Sequence, residues 1–157
     1  METALDIDMK VLGPDHPQLA IYWNNLGDAW RSKGEVDKAI EHLNKSLASD
    51  CKSFGDEHPK VAIRWSNLGH AWLDKGEVDK AIEYYEKALA SDLKTFGPEN
   101  PKVAIRWGNL GDARRDKGEV GKARECYEKA LAGFRKAGLE HNAQVVEKYI
   151  RALPPGK

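Results

Sequence analysis

The stretch NNLGDAWRSKGEVDKAIEHL, residues 24–43, decides the fold, because the chain repeats it. It returns as SNLGHAWLDKGEVDKAIEYY at 66–85 and as GNLGDARRDKGEVGKARECY at 108–127, each time 42 residues further on. A fixed period between 20 and 50 residues marks a repeat architecture and takes precedence over any local propensity. The copies run 16–57, 58–99 and 100–140; the first two agree at 28 positions and the last two at 26. Identity at that level leaves little room for three different jobs.

Inside each copy the apolar spacing is helical. Trp65, Leu68 and Trp72 stand at i, i+3 and i+7, and after a break at Gly76 the pattern resumes with Val78, Ala81, Ile82, Tyr85 and Leu89. The first helix opens at Pro17, Pro59 or Pro101, since proline suits the first helical position, and Asn100 is a good N-cap. It closes at Gly34, Gly76 or Gly118, each preceded by a lysine. The second helix carries Glu41/Lys45, Glu83/Lys87 and Glu125/Lys129 at i, i+4, the mark of an exposed face, and ends near Gly55 and Gly97. Gly27, Gly69 and Gly111 fall inside first helices, where glycine costs about 1 kcal/mol against alanine, so close helix contact is expected there, with Ala39, Ala81 and Ala123 opposite. The tryptophans Trp23, Trp30, Trp65, Trp72 and Trp107 pair with leucines on helical stripes and are expected in the core rather than as a stacking ladder for nucleic acid.

These residues resemble a known family. The string LG-x-x-W-x-x-x-G-x-V-x-x-A is similar to the tetratricopeptide repeat, with tryptophan in the usual tyrosine position and a period of 42 in place of 34. The longer unit, opened by HPKVAIRW and closed by DLKTFGPE, is similar to the repeats of kinesin light chains. The resemblance implies an all-α, right-handed superhelical solenoid of antiparallel helix pairs, its first helices lining an inner wall. It also implies a ligand groove at Asn24, Asn25, Asp28 and Arg31 in the first copy, Asn67 and His70 in the second, and Asn109, Asp112 and Arg115 in the third. Asn25, Asn67 and Asn109 are invariant among the copies and resemble asparagines that clamp a peptide backbone; bonds within their own helix pairs are the alternative. Arg64 and Arg106, one position before a tryptophan, are expected as basic contacts at the groove edge, with Asp28, Asp74, Asp112 and Asp116 making the lining mixed in charge.

The ends differ from the middle. Leu5, Asp8, Lys10 and Gly13 align with Leu47, Asp50, Lys52 and Gly55, so residues 1–15 read as the second helix of a preceding repeat, as in a fragment of a longer array or a chain whose N-terminal face expects a partner. Arg114, Gly121 and Arg124 interrupt the third copy, and 141–153 reads as a capping helix with Val145, Val146, Tyr149, Ile150 and Leu153 on one stripe, before a 154–157 tail. All of 1–157 is expected to form one repeat domain.

Composition narrows the function. Among 157 residues, 25 Lys plus Arg balance 25 Asp plus Glu, which offers no field for nucleic acid or anionic membranes. No apolar run approaches the roughly 20 residues of a membrane span, and METALDIDMK lacks a signal-peptide pattern. Cys51 and Cys126 occupy different repeat positions, in keeping with a reducing, cytoplasmic compartment. No phosphate loop, CxxC, HExxH or GxSxG occurs, and His16 and His58 give way to Asn100 in the third copy, so no enzyme, metal or cofactor is expected. The expected role is a scaffold binding a protein or peptide segment. The alternative is self-association, end to end or by swapping, through open repeat ends.

Overall fold

The computed structural model describes residues 3–155. Met1 and Glu2 of the expected half-repeat, and Gly156 and Lys157 of the expected tail, lie outside the described residues, as does the side chain of Leu5. Among the described residues there are eight helices: α1 (Ala4–Leu12), α2 (Pro17–Ser32), α3 (Val36–Phe54), α4 (Pro59–Asp74), α5 (Val78–Phe96), α6 (Pro101–Asp116), α7 (Val120–Lys136) and α8 (Glu140–Ala152). They group into two compact units, Met1–Glu77 and Val78–Lys157. Each unit runs second helix, first helix, second helix, first helix, so the division falls inside the second repeat.

Local chemistry sets the helix ends. His16, His58 and Asn100 are extended N-caps whose side chains accept from the backbone N–H two residues on, each followed by proline. Histidine thus does the work of asparagine, which explains their exchange among the copies. First helices end in a 6→1 bond, Glu35 N–H to the Trp30 carbonyl and Glu119 N–H to that of Arg114, both 2.9 Å, around Gly34 and Gly118 at positive φ. Second helices end differently. Gly55 has φ 84° and ψ 161°, a region essentially restricted to glycine.

The third copy breaks this alternation. Leu139 N–H bonds the Phe134 carbonyl at 2.9 Å with Gly138 at φ 75°, so α7 hands over to α8 by the tight turn used elsewhere between the helices of a pair. α7 is accordingly 17 residues long against 19 for α3. α8 starts at Glu140, one residue before the expected cap. Ala143, Val146 and Leu153 join Ala104, Ala123, Tyr127, Ala130 and Phe134 in one buried cluster, with Trp107 and Ile150 packed against it. Tyr149 departs from the expected stripe and is exposed.

In the first unit α2 packs on α3 and α3 on α4. A Cβ on Gly27 would lie 2.7 Å from Leu43 Cγ, and one on Gly111 would lie 2.7 Å from the Tyr127 ring. The close approach expected at these glycines is present, but the opposing residues are Leu43 and Tyr127, with Ala39 contributing only its carbonyl oxygen, 3.3 Å from the Gly27 position. The tryptophans are half-buried rather than central. Lys38 lies over Trp30 at 4.4 Å and Lys129 over Trp107 at 4.3 Å, so a lysine stem shields the outer ring face. Fully buried positions go instead to Leu19, Leu43, Val61, Leu68, Val103, Tyr85 and Tyr127.

Two ion pairs lie within this packing. Arg64 Nε donates to Asp50 Oδ2 at 2.7 Å, joining α4 to α3, and Arg106 Nε donates to Asp92 Oδ2 at 2.7 Å, joining α6 to α5. Asp50 and Asp92 are each 1% exposed. At the corresponding place in the first copy the Tyr22 hydroxyl donates to Asp8, which raises the pKa of the phenol. At the third junction Phe134, buried in the cluster, replaces the aspartate.

Candidate functional site

The first helices present one solvent-facing strip within each unit. In the first unit it is the face shared by α2 and α4, where Asn67 Nδ2 donates to Asn24 Oδ1 at 2.7 Å and Asn24 Nδ2 donates to Asp28 Oδ2 at 3.3 Å. Arg31 Nε pairs with Asp74 at 2.5 Å. Asn67 is therefore joined to Asn24 across two first helices, not within its own helix pair. Asn24 is 8% exposed and spends both ends of its amide on these bonds. Asn25 and Asp28 are exposed, while Asn67 and His70 are half-buried.

Arg64 and Arg106 do not form a basic groove edge. They turn toward the preceding second helix, where a desolvated carboxylate holds each one. The signal was present in the sequence: an aspartate interrupts the apolar face of each second helix at 50 and 92, each 14 residues before the arginine.

In the second unit the corresponding strip lies between α6 and α8. Here a cleft of about 260 Å³ is lined by Ile105, Gly108, Asn109, Asp112, Phe134, His141, Asn142, Val145, Val146 and Tyr149. Asn109 and Asp112 were expected at the site; His141, Asn142, Val145 and Tyr149 were not, because the α8 segment was read only as a cap. The Tyr127 hydroxyl donates to Asp112 Oδ1 at 2.5 Å, and Arg115 approaches the same oxygen at 3.6 Å. Burial raises the Asp112 pKa, opposed by the Tyr127 hydrogen bond and Arg115. Burial and the Asp112 carboxylate together push the Tyr127 phenol well above its usual range. Arg115 is exposed and also reaches Asp116 at 3.3 Å, so two carboxylates share one guanidinium.

A further change marks the outer side of this unit. Where the first two copies carry Trp30 and Trp72, Arg114 bridges Glu86 and Glu119, at 2.6 Å to each. It borders a second cleft of about 380 Å³ that includes Leu89, Leu93, Trp107 and Cys126. Among the described residues no group of three or more His, Cys, Asp or Glu side chains is arranged to hold a metal ion. No helix there is long and apolar enough to cross a membrane.

Comparison with known proteins gives a consistent picture. A family model described as "Tetratricopeptide repeat" matches residues 1–52, 31–94 and 61–136. The solved structure of a kinesin-light-chain protein with nearly identical TPR-like repeats from Podosopora anserina aligns at 25% identity, covering 94% of this chain and 81% of that one, with a TM-score of 0.73. The Sgt2 TPR domain of Aspergillus fumigatus aligns at 29% identity over 88% of this chain and 86% of its own, with a TM-score of 0.57. The first TPR of Spaghetti, solved with the HSP90 peptide SRMEEVD, shares the fold at 18% identity, 86% and 95% coverage and a TM-score of 0.59. Curated protein sequences give no match.

Proposed function

Because the chain belongs to the tetratricopeptide repeat family, we propose that it is a non-catalytic, cytoplasmic scaffold whose first-helix faces bind an extended segment of a partner protein. One observation carries this reading. Ile21, Ile63 and Ile105, the same position in three copies, are 41%, 43% and 45% exposed. A single exposed isoleucine means little. Large apolar side chains left in water at one position of every copy supply side-chain contacts of the kind peptide recognition uses, and in the first copy the exposed Asn25 lies one turn from Ile21 with an amide suited to a ligand backbone. Several groups expected in the groove are already engaged within the protein, so Ile21, Asn25, Ile63 and Ile105, with the α6–α8 cleft, are the surfaces proposed to meet the ligand. The free thiols of Cys51 and Cys126 support a reducing compartment. Peptide capture by the Spaghetti repeats supports the general mode of binding and not the choice of ligand.

The test is selection of a displayed 12-residue peptide library against the chain, with an Ile21→Ser, Ile63→Ser, Ile105→Ser variant as counter-selection. Peptides that bind the parent and not the variant are expected, with unchanged circular dichroism. Peptides that ignore the triple substitution would remove the exposed isoleucines from the reading.

A second reading, association of the chain with itself, draws on α1, which exposes Ile7, Val11 and Leu12. Light scattering over a hundredfold concentration range checks it: a constant monomer mass rules it out.

A further inference from the structure

The three copies differ at one point of the first-helix face, and the difference creates a space. Asn24 fills that point in the first copy and Ser66 in the second, at 8% and 2% exposure. The third copy has Gly108, where an added Cβ would meet nothing within 4 Å. This glycine is a vacancy rather than a close contact, unlike Gly111 three residues on. The cleft it opens holds about 260 Å³, just below the range of roughly 300–1,000 Å³ typical of whole small-molecule ligands. Its size suits one side chain of a longer segment. Ile105, Phe134, Val145 and Val146 supply apolar walls, so the side chain that fits is apolar.

Charge fixes what lies beside it. Asp112 is the one Asp, Glu, Lys or Arg in the lining. Tyr127 and Arg115 both approach its Oδ1, and Arg115 divides its charge between Asp112 and Asp116. Asp112 and Asp116 against Arg115 leave one excess negative charge on this stretch of α6, beside His141 in the cleft lining, and that excess attracts a cation and repels a carboxylate.

We propose that the α6–α8 cleft is the specificity pocket of this scaffold, taking one apolar side chain of a bound segment whose neighbouring residue is basic and pairs with Asp112. The proposal rests on the peptide-binding reading of the first-helix faces and adds a ligand class to it. It sets the protein apart from binders of acidic tails.

The experiment uses two fluorescein-labelled octapeptides, each with a central leucine, flanked in one by lysines and in the other by glutamates. Binding to the full chain is followed by fluorescence anisotropy. The lysine peptide is expected to bind at least tenfold more tightly. Gly108→Asn, which restores the side chain of the first copy, should weaken it tenfold or more, and Gly108→Ser should weaken it less. Asp112→Asn should abolish the preference for lysine over glutamate while retaining the dependence on leucine. Circular dichroism of each variant confirms the fold. Equal affinity for the two peptides, or undiminished binding by a folded Gly108→Asn variant, overturns the pocket and leaves the exposed isoleucines standing. Failure of both octapeptides alongside a successful library selection also overturns the pocket alone, whereas failure of both experiments overturns the peptide-binding reading with it.

Discussion

Adding one methyl group at two glycines of α6 should change stability in opposite directions. At Gly108 an alanine Cβ meets nothing within 4 Å, so the substitution brings the helix-propensity gain of about 0.8–1 kcal/mol without a steric cost. At Gly111 the same atom would lie 2.7 Å from Tyr127 Cε1 and 2.8 Å from Cδ1, well inside ordinary contact. The ring must retreat, yet Tyr127 is 0% exposed and its hydroxyl is tied to Asp112. Overpacking of a filled core costs about 1–3 kcal/mol, and displacing the ring also strains the Tyr127–Asp112 bond, worth roughly another 1–2 kcal/mol. After the propensity gain is subtracted, Gly111→Ala should be about 1–4 kcal/mol less stable than the parent, while Gly108→Ala is up to about 1 kcal/mol more stable. Urea unfolding followed by far-ultraviolet circular dichroism, with m-values compared to confirm equal exposure on unfolding, measures both. If Gly111→Ala proved as stable as Gly108→Ala, the close approach of α6 and α7 through Tyr127 would be refuted.

Three other predictions follow from the buried and titrating groups. Arg64→Ala leaves the Asp50 carboxylate desolvated without its partner and should cost about 3–5 kcal/mol, whereas Asp50→Leu with Arg64→Met should recover most of that loss; both are read by urea titration. The raised Asp112 pKa means the folded chain holds the proton more tightly than the unfolded one, so its contribution is favourable below the unfolded carboxylate pKa and is lost as pH rises through the folded value. Asp112→Asn should therefore be at least as stable as the parent at pH 7, with its advantage in Tm shrinking as pH falls toward about 3. Cys51 is pushed up to about 11, by burial first and then by its hydrogen bond to Asp56; iodoacetamide at pH 8 should alkylate it on the order of a hundredfold more slowly than a free thiol of pKa about 8.5.

The architecture was legible because repetition amplifies weak signals. A proline after His16 says little by itself, but proline at 17, 59 and 101 with glycine at 34, 76 and 118 fixes helix starts and stops to within a residue or two. The site was less legible, since each groove position has two neighbours that helical spacing does not reveal. Asn24 looked like a lining residue and is taken up by Asn67 and Asp28. Arg64 looked like an edge cation and is buried, because its partner lies on the helix before it. Spacing inside one helix says which residues share a face, and only packing says what that face meets. The α8 contribution was missed for a related reason: an amphipathic terminal helix reads as a cover, and His141, Asn142 and Tyr149 join the cleft lining only once α8 lies beside α6.

The Asp50–Arg64 and Asp92–Arg106 pairs bear on how such a chain could be lengthened or shortened by recombination. The sequence suggests cutting at the proline, as though 17–54 were the exchangeable piece, but that cut separates each aspartate from its arginine. A segment such as 36–74 or 78–116 carries both members of its pair. Grafted pieces staggered in this way bring a satisfied polar contact with them, and pieces cut at the proline must find a matching charge in the host. The piece that carries its own ion pair is thus out of phase with the visible repeat by one helix.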